Sequence, residues 1–271
     1  MIKIAKYVKA ESLQEAYELN QKRSSTVIGG MLWLKMQKKR VGTAIDLSGL
    51  GLDTIEETPE EYRIGAMVTL RQIEMHEGLN GLTQGAARDS VKHIVGVQFR
   101  NLATVGGSLF GRYGFSDVLT FFMALGAKVE LYHRGIVSVE EFAGMKKDRD
   151  ILVRVLVPKK EVEMAYLSQR NARTDFPVLT VCICQEEKET RCVVGARPMP
   201  AVCIRDEEGI LSQGITEESA AAFGEYVMNQ IKTGSNMRAS GEYRKLISKV
   251  LVKRGLLKIA DMESEVGADA D

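Results

Sequence analysis

Arg100-Asn101-Leu102-Ala103-Thr104-Val105-Gly106-Gly107-Ser108 sets two adjacent glycines between hydroxyl side chains, and Val27-Ile28-Gly29-Gly30 places another diglycine directly after an apolar run. Glycine tolerates positive φ and lets other groups approach the backbone, so successive amides can surround an anion such as a pyrophosphate. Two such segments suffice to hold a dinucleotide in an extended pose. Each segment taken alone also fits a tight turn or bulge. Neither has the GxGxxG spacing of a dinucleotide fold, and no GxxxxGK[ST] occurs. By themselves these residues support an anion or nucleotide binder and nothing narrower.

Working outward, residues 1–52 read as a small α/β unit. Ser12 and Glu15 form a capping box that opens a helix ending near Asn20, and Ser25–Ile28 is a strand running into the first diglycine. A helix or turn follows over 31–36, then a strand over 41–47. The acidic, turn-rich stretch 49–61 reads as a boundary. Beyond it come a strand over 62–66, a helix opened by Thr69 and Gln72 and reaching about Met75, and a helical pattern over 81–97. Residues 99–114 read as loops around the second diglycine. Ser116 caps an apolar helix over 117–125, which Gly126 ends. A strand over 127–132, a short helix opened by Ser138 and Glu141, and a strand over 151–157 complete this section. From about residue 160 the pattern gives strands over 162–166, 178–184 and 192–196 with a polar turn at 186–190, then helices over 216–231 and about 240–258. The acidic final ten residues are expected to fray.

The 271 residues are 45% apolar, enough for a substantial core in one or two domains. With 37 basic and 36 acidic residues the net charge is +1, which argues against a general nucleic-acid binder. No 18-residue apolar run appears, and MIKIAKYVKA turns polar before a signal-like core develops, so the expected protein is cytoplasmic with no membrane span. Cys182, Cys184, Cys192 and Cys203 read as strand thiols rather than metal ligands, since the first two share one face of a strand. His76, His93 and His133 are scattered along the chain.

The chain resembles the FAD-binding, or medium, subunit of the molybdenum hydroxylases, the family of xanthine dehydrogenase and carbon monoxide dehydrogenase. Six blocks carry the resemblance in family order over nearly the whole chain. They are Val27-Ile28-Gly29-Gly30 with Leu32 and Met36, Ile64-Gly65-Ala66 with Thr69-Leu70, the Arg100–Ser108 stretch, Asp175-Phe176-Pro177, Gly195-Ala196-Arg197-Pro198-Met199-Pro200, and Arg238-Ala239-Ser240 with Tyr243-Arg244 and Val250-Leu251. Arg100–Ser108 is the most specific.

The resemblance implies an α+β chain. Its FAD-binding part would be two α/β subdomains of the PCMH/VAO-like type, over 1–52 and 53–158, followed by a C-terminal α+β domain over 160–262. It implies FAD contacts at Ile28, Gly29, Gly30, Met31 and Leu32, further pyrophosphate and ribityl contacts at Thr104, Gly106, Gly107 and Ser108, and a ribose-binding carboxylate at Asp117. Met31 stands where the family usually has a small polar residue. Ser168 stands where a lysine usually approaches the flavin; the nearby Arg170 and Arg173 could compensate for that lysine, though lone arginines near a turn read as solvated cations. Tyr113 and Phe115 could stack on the flavin, guard its access, or anchor a loop. The implied partners are a small subunit with [2Fe-2S] clusters and a large molybdopterin-binding subunit, with electrons leaving FAD for NAD⁺ or another acceptor. Two other readings stay open: a self-sufficient FAD oxidoreductase, and a scaffold subunit with weakened FAD binding.

Overall fold

The computed structural model describes residues 1–187 and 189–268. The chain divides into two compact units, the first built from residues 1–73, 95–111 and 126–159, the second from 74–94, 112–125 and 160–271.

The first unit holds two sheets. Lys3–Lys9, Arg40–Asp46 and Ser25–Ile28 lie side by side in that order, all parallel. Parallel pairing needs a crossover, which the helix Leu13–Asn20 supplies. The Ser12 hydroxyl accepts the Glu15 amide at 3.1 Å, while the Glu15 carboxylate takes the amide of Glu11 at 2.8 Å. Ala16 of this helix packs on Ile45 and Leu47, with Leu13 and Tyr17 at the margin. The second sheet is antiparallel, in the order Ile55–Glu57, Glu61–Gly65, Leu152–Pro158, Lys128–Leu131, Gly135–Ser138. Sequence reading misses Ile55–Glu57 and Gly135–Ser138. Both are short edge strands with little buried surface, so neither shows apolar alternation.

In the second unit, four antiparallel strands run in the order Val202–Arg205, Glu189–Gly195, Pro177–Glu186, Glu163–Arg170. Leu179, Val181, Ile183, Cys192 and Val194 face one way, into a core completed by Phe223 and Val227 of the helix Glu217–Gln230 and by Val252, Leu256 and Ile259 of the helix Gly241–Ala268. The other face meets the helix Asp117–Ala124: the Thr120 and Thr180 hydroxyls bond at 3.1 Å, and Arg191 donates to the Ala124 carbonyl at 2.9 Å. Covered on both sides, Pro177–Glu186 is buried over its first eight residues and reads as an unbroken apolar run.

Three local expectations need correction. The helical pattern over 81–97 is broken: Glu77–Leu82 and Ala86–Val91 are separated by Gln84 and Gly85, both at positive φ. Residues 99–114 are not all loop, since Val105–Phe110 is a helix that carries the second diglycine in its first turn. The last helix continues past Lys258 to Ala268, because apolar periodicity marks burial and polar residues extend a helix without it. Residues 269–271 of the acidic tail, and Lys188 of the polar turn, lie outside the described residues. Among the described residues, no helix is long and apolar enough to cross a membrane.

Arg244, 1% exposed, ties the second unit together. It donates to the carbonyls of Val178 at 2.8 Å, Gly234 at 2.6 Å and Ala239 at 2.7 Å, and to Asn236 Oδ1 at 2.6 Å. Arg244→Met would leave the Val178 carbonyl buried and unmet and cut the ties to residues 234, 236 and 239, and we expect it to lower unfolding free energy by about 3 kcal/mol in urea titration. A loss below about 1 kcal/mol would contradict this role. Cys182, Cys184 and Cys192 are buried free thiols, and burial pushes Cys184 up to about 11. Mass spectrometry after brief thiol labelling of the native chain at mildly alkaline pH should therefore find Cys203, the half-buried one, modified ahead of the other three.

Candidate cofactor site

The strand Ser25–Ile28 delivers the chain to Gly29 and Gly30, which lie directly on the second glycine segment. A Cβ on Gly29 would stand 2.6 Å from Thr104 Oγ1, and one on Gly30 would fall on the Leu102 carbonyl oxygen. Glycine at 30 is thus required by close backbone approach. Met31 then turns the chain with φ +58°, a left-handed conformation uncommon for a residue with a side chain. Its side chain packs against Ile28, Val41 and Ala44, and its carbonyl accepts the Lys35 amide at 2.9 Å. Leu32 is buried beside it. Among the described residues, the amides of Gly29, Gly30, Met31 and Leu32 have no acceptor. Four successive N–H groups left open on a turn with a left-handed member are donors that an anion can take up.

The second segment is built differently. Thr104 caps the helix Val105–Phe110, its Oγ1 accepting the Gly107 amide at 3.1 Å. The Val105 amide donates to the Val68 carbonyl at 2.8 Å, the Gly106 amide to Ala66 at 2.8 Å, and the Ser108 amide to Thr104 at 3.0 Å. The Ser108 hydroxyl also donates to the Thr104 carbonyl, at 2.9 Å. A Cβ on Gly106 would lie 2.7 Å from the Ala66 oxygen, so this glycine serves packing. The two segments, alike in sequence, differ in what they can offer: the first has amides without acceptors among the described residues, while the second spends its own on Val68, Ala66 and Thr104.

Asp117 and Ser168 lie in the second unit, and Arg170 joins them. Asp117, the first residue of its helix, is 5% exposed. Its Oδ1 accepts the Tyr166 hydroxyl at 2.5 Å and the Arg170 guanidinium. Arg170 also donates through Nε to Ser168 Oγ at 3.1 Å and through Nη1 to the Asp175 carbonyl at 2.6 Å. Burial raises the Asp117 carboxyl above the usual carboxylate range, and the Arg170 charge opposes that rise. The Arg170 side chain is only 6% exposed, against the sequence reading of a solvated cation. The signal was available: residues 166, 168 and 170 share one face of a strand whose neighbours are buried. Arg173 is exposed, as read, and reaches His93 Nδ1 at 3.5 Å. Tyr113 stacks on Phe115 with ring centroids 5.1 Å apart, Phe115 meets Phe176 edge-on at 4.6 Å, and Arg238 lies 4.7 Å over the Phe176 ring.

Residues 2–160 match a family model described as the FAD binding domain in molybdopterin dehydrogenase. The glyceraldehyde dehydrogenase medium chain of Sulfolobus acidocaldarius is 22% identical, over 94% of this chain and 98% of its own. The xanthine dehydrogenase FAD-binding subunit of Escherichia coli O157:H7 is 24% identical, over 94% and 95%. Among solved structures, a chain of carbon monoxide dehydrogenase from Hydrogenophaga pseudoflava superposes with a TM-score of 0.85 at 19% identity, covering 94% of this chain and 97% of that one. That likeness establishes the α+β fold.

Gly30→Ala should strike the crossing directly, and we expect a loss of at least about 3 kcal/mol in chemical denaturation. Gly107→Ala meets only Thr104 Oγ1 at 3.1 Å and sits in a helix, so its effect should stay within about 1 kcal/mol. Equal effects from the two substitutions would refute the division of roles.

Proposed function

This chain belongs to the family of the FAD binding domain in molybdopterin dehydrogenase, and from that premise we propose that it is the flavin-carrying subunit of a molybdenum hydroxylase complex. The observation that carries the reading is the run of four amides at Gly29–Leu32 without acceptors among the described residues, on a turn whose glycines lie against Leu102, Ala103 and Thr104. FAD, when bound, supplies the redox chemistry, so the chain's own task is to hold, orient and tune it.

In this reading the amides of residues 29–32 bind the pyrophosphate, and Ile28 ends the strand that positions them. Met31 and Leu32 contribute backbone donors, so a methionine costs the turn a side-chain hydroxyl while leaving the amides. Thr104, Gly106, Gly107 and Ser108 form the helix start beside the turn, and the Thr104 Oγ1, which lies against Gly29, and the Ser108 hydroxyl are the candidates for the ribityl chain. In the second unit Asp117 takes ribose hydroxyls of the adenosine half, and Ser168 occupies the position assigned to a flavin-tuning cation. The subdomain limits we carry are 1–52, 53–158 and 160–262.

The partners we assign are a small [2Fe-2S] subunit and a large molybdopterin-binding subunit, with NAD⁺ or another acceptor taking the electrons. Likeness along their full length to a named medium chain and a named FAD-binding subunit supports a component of a larger enzyme rather than a complete one. Four cysteines outside any disulfide suit a reducing compartment, and we place the complex in the cytoplasm.

The full-length chain purified without added flavin should show oxidised-flavin bands near roughly 370 and 450 nm and release stoichiometric FAD. A colourless chain that also leaves added FAD unbound would overturn the assignment.

A further inference from the structure

The three parallel strands of the first unit gather cations at their N-terminal ends, away from the glycine turn. Lys3 opens the strand Lys3–Lys9, lies beside Arg40 at the start of Arg40–Asp46, and donates its amide to the Lys39 carbonyl at 2.9 Å. On the other side the Gly42 amide donates to the Ser24 carbonyl at 2.7 Å, which sets the turn carrying Lys22 and Arg23 alongside. Lys38 belongs to the same connection as Lys39. Lys3, Lys22, Arg23, Lys38, Lys39 and Arg40 are all exposed, and among the described residues none of the six is in an ion pair. Lys39 Nζ bonds a neutral acceptor, the Thr26 hydroxyl, at 3.2 Å. No aspartate or glutamate occurs in residues 1–10 or 21–45. Ile4 and Met36, close to these cations in the chain, are exposed as well.

Edge protection accounts for lysines along Lys3–Lys9, but Lys38, Lys39 and Arg40 lead into the central strand of the sheet. Gathered like charges repel one another, so the fold bears a cost here that an opposing charge would remove. We propose that this end of the sheet docks an acidic face of another subunit of the same complex. The proposal rests on the reading above of the chain as one component of a larger enzyme. Charge complementarity sets the sign of the occupant, and the surroundings favour a protein over a nucleic acid or a lipid surface. Three strands span only about 10 Å, and the crossover beside them carries Glu11, Glu15 and Glu18. With the six cations set aside, the 37 basic and 36 acidic residues leave an acidic remainder, which an extended polyanion would meet next. A compact acidic patch avoids that repulsion, and the exposed Ile4 and Met36 offer it apolar contact. The glycine turn follows Ile28, which lies beside Asp46 at the far end of the strands. The strand rise puts about 20 Å between the two ends, so a partner docked here leaves the amides of residues 29–32 open.

The experiment isolates the complex from the chain's own cells at about 50 mM salt, where surface charges are weakly screened. A zero-length carbodiimide then joins facing amines and carboxylates, and mass spectrometry reads which residues are linked. The wild type is compared with two triple variants of equal charge change. One is Lys3→Glu/Lys22→Glu/Lys38→Glu at the sheet end, the other Lys128→Glu/Lys146→Glu/Lys232→Glu, at exposed lysines elsewhere. We expect links from Lys3, Lys22, Lys38 or Lys39 to aspartates and glutamates of one partner subunit. The first variant should retain at least about fivefold less of that subunit, and the second should stay within about twofold of wild type. Thermal melting of the three purified chains checks that each folds. Should the first variant fail to fold, the wild-type links decide. Links that avoid the sheet end, equal losses in both variants, or full retention in the first would each overturn the proposal. So would binding of duplex DNA or of phosphatidylserine vesicles by the wild-type chain that the first variant alone loses. A chain that copurifies with no other subunit would overturn the complex reading and this docking with it, whereas a complex that assembles without the sheet end overturns this proposal alone.

Discussion

The carbonyl oxygen of Leu102 occupies the space where a side chain at residue 30 would begin, and much of the first unit's candidate chemistry depends on that close approach. Because Gly30 has no Cβ, the turn after the strand Ser25–Ile28 can lie on the Leu102–Thr104 backbone. The crossing in turn leaves the amides of residues 29–32 facing no acceptor among the described residues. A run of four amides left open by the protein's own carbonyls is a set of donors that an anion can take. Met31, held at φ +58° and compensated by packing with Ile28, Val41 and Ala44, fits the same description. Local strain is accepted where the turn must present its backbone.

The supporting side of the crossing is a chain of satisfied groups. Gly106 rests on Ala66, the Leu70 amide donates to the Ala103 carbonyl at 2.8 Å, and Thr104 caps its own helix. Every amide from Val105 to Ser108 is spent on these bonds. A rigid, fully bonded floor beneath an under-bonded turn is the arrangement that preorganises a binding loop, since the ordering is met by folding rather than by the ligand.

The second unit uses charge where the first uses backbone. Asp117, Tyr166, Ser168 and Arg170 form one bonded group on the face of the sheet opposite the long helices, and Arg244 does comparable work near the start of the last helix. The two arginines differ in their partners. Arg244 donates to three carbonyls and one side-chain amide oxygen, a purely structural set, whereas Arg170 bonds a carboxylate and a hydroxyl that can also serve a ligand.

The sequence alone determined the strand Ser25–Ile28, the Ser116 cap before Asp117, the Ser138 cap, the central strands and the diglycine positions, because each is written in neighbouring residues as a cap, a periodicity or a glycine. The family resemblance was also legible there, as six blocks in order. Tertiary structure decided what the blocks do. Whether a diglycine offers its amides or spends them depends on carbonyls far along the chain, Leu102 for the first and Ala66 for the second. Arg170 reads as an ordinary surface cation until Asp117, at the start of the helix Asp117–Ala124, meets it. Local sequence specifies the donors and acceptors, and only the fold selects which of them meet and which remain for a ligand.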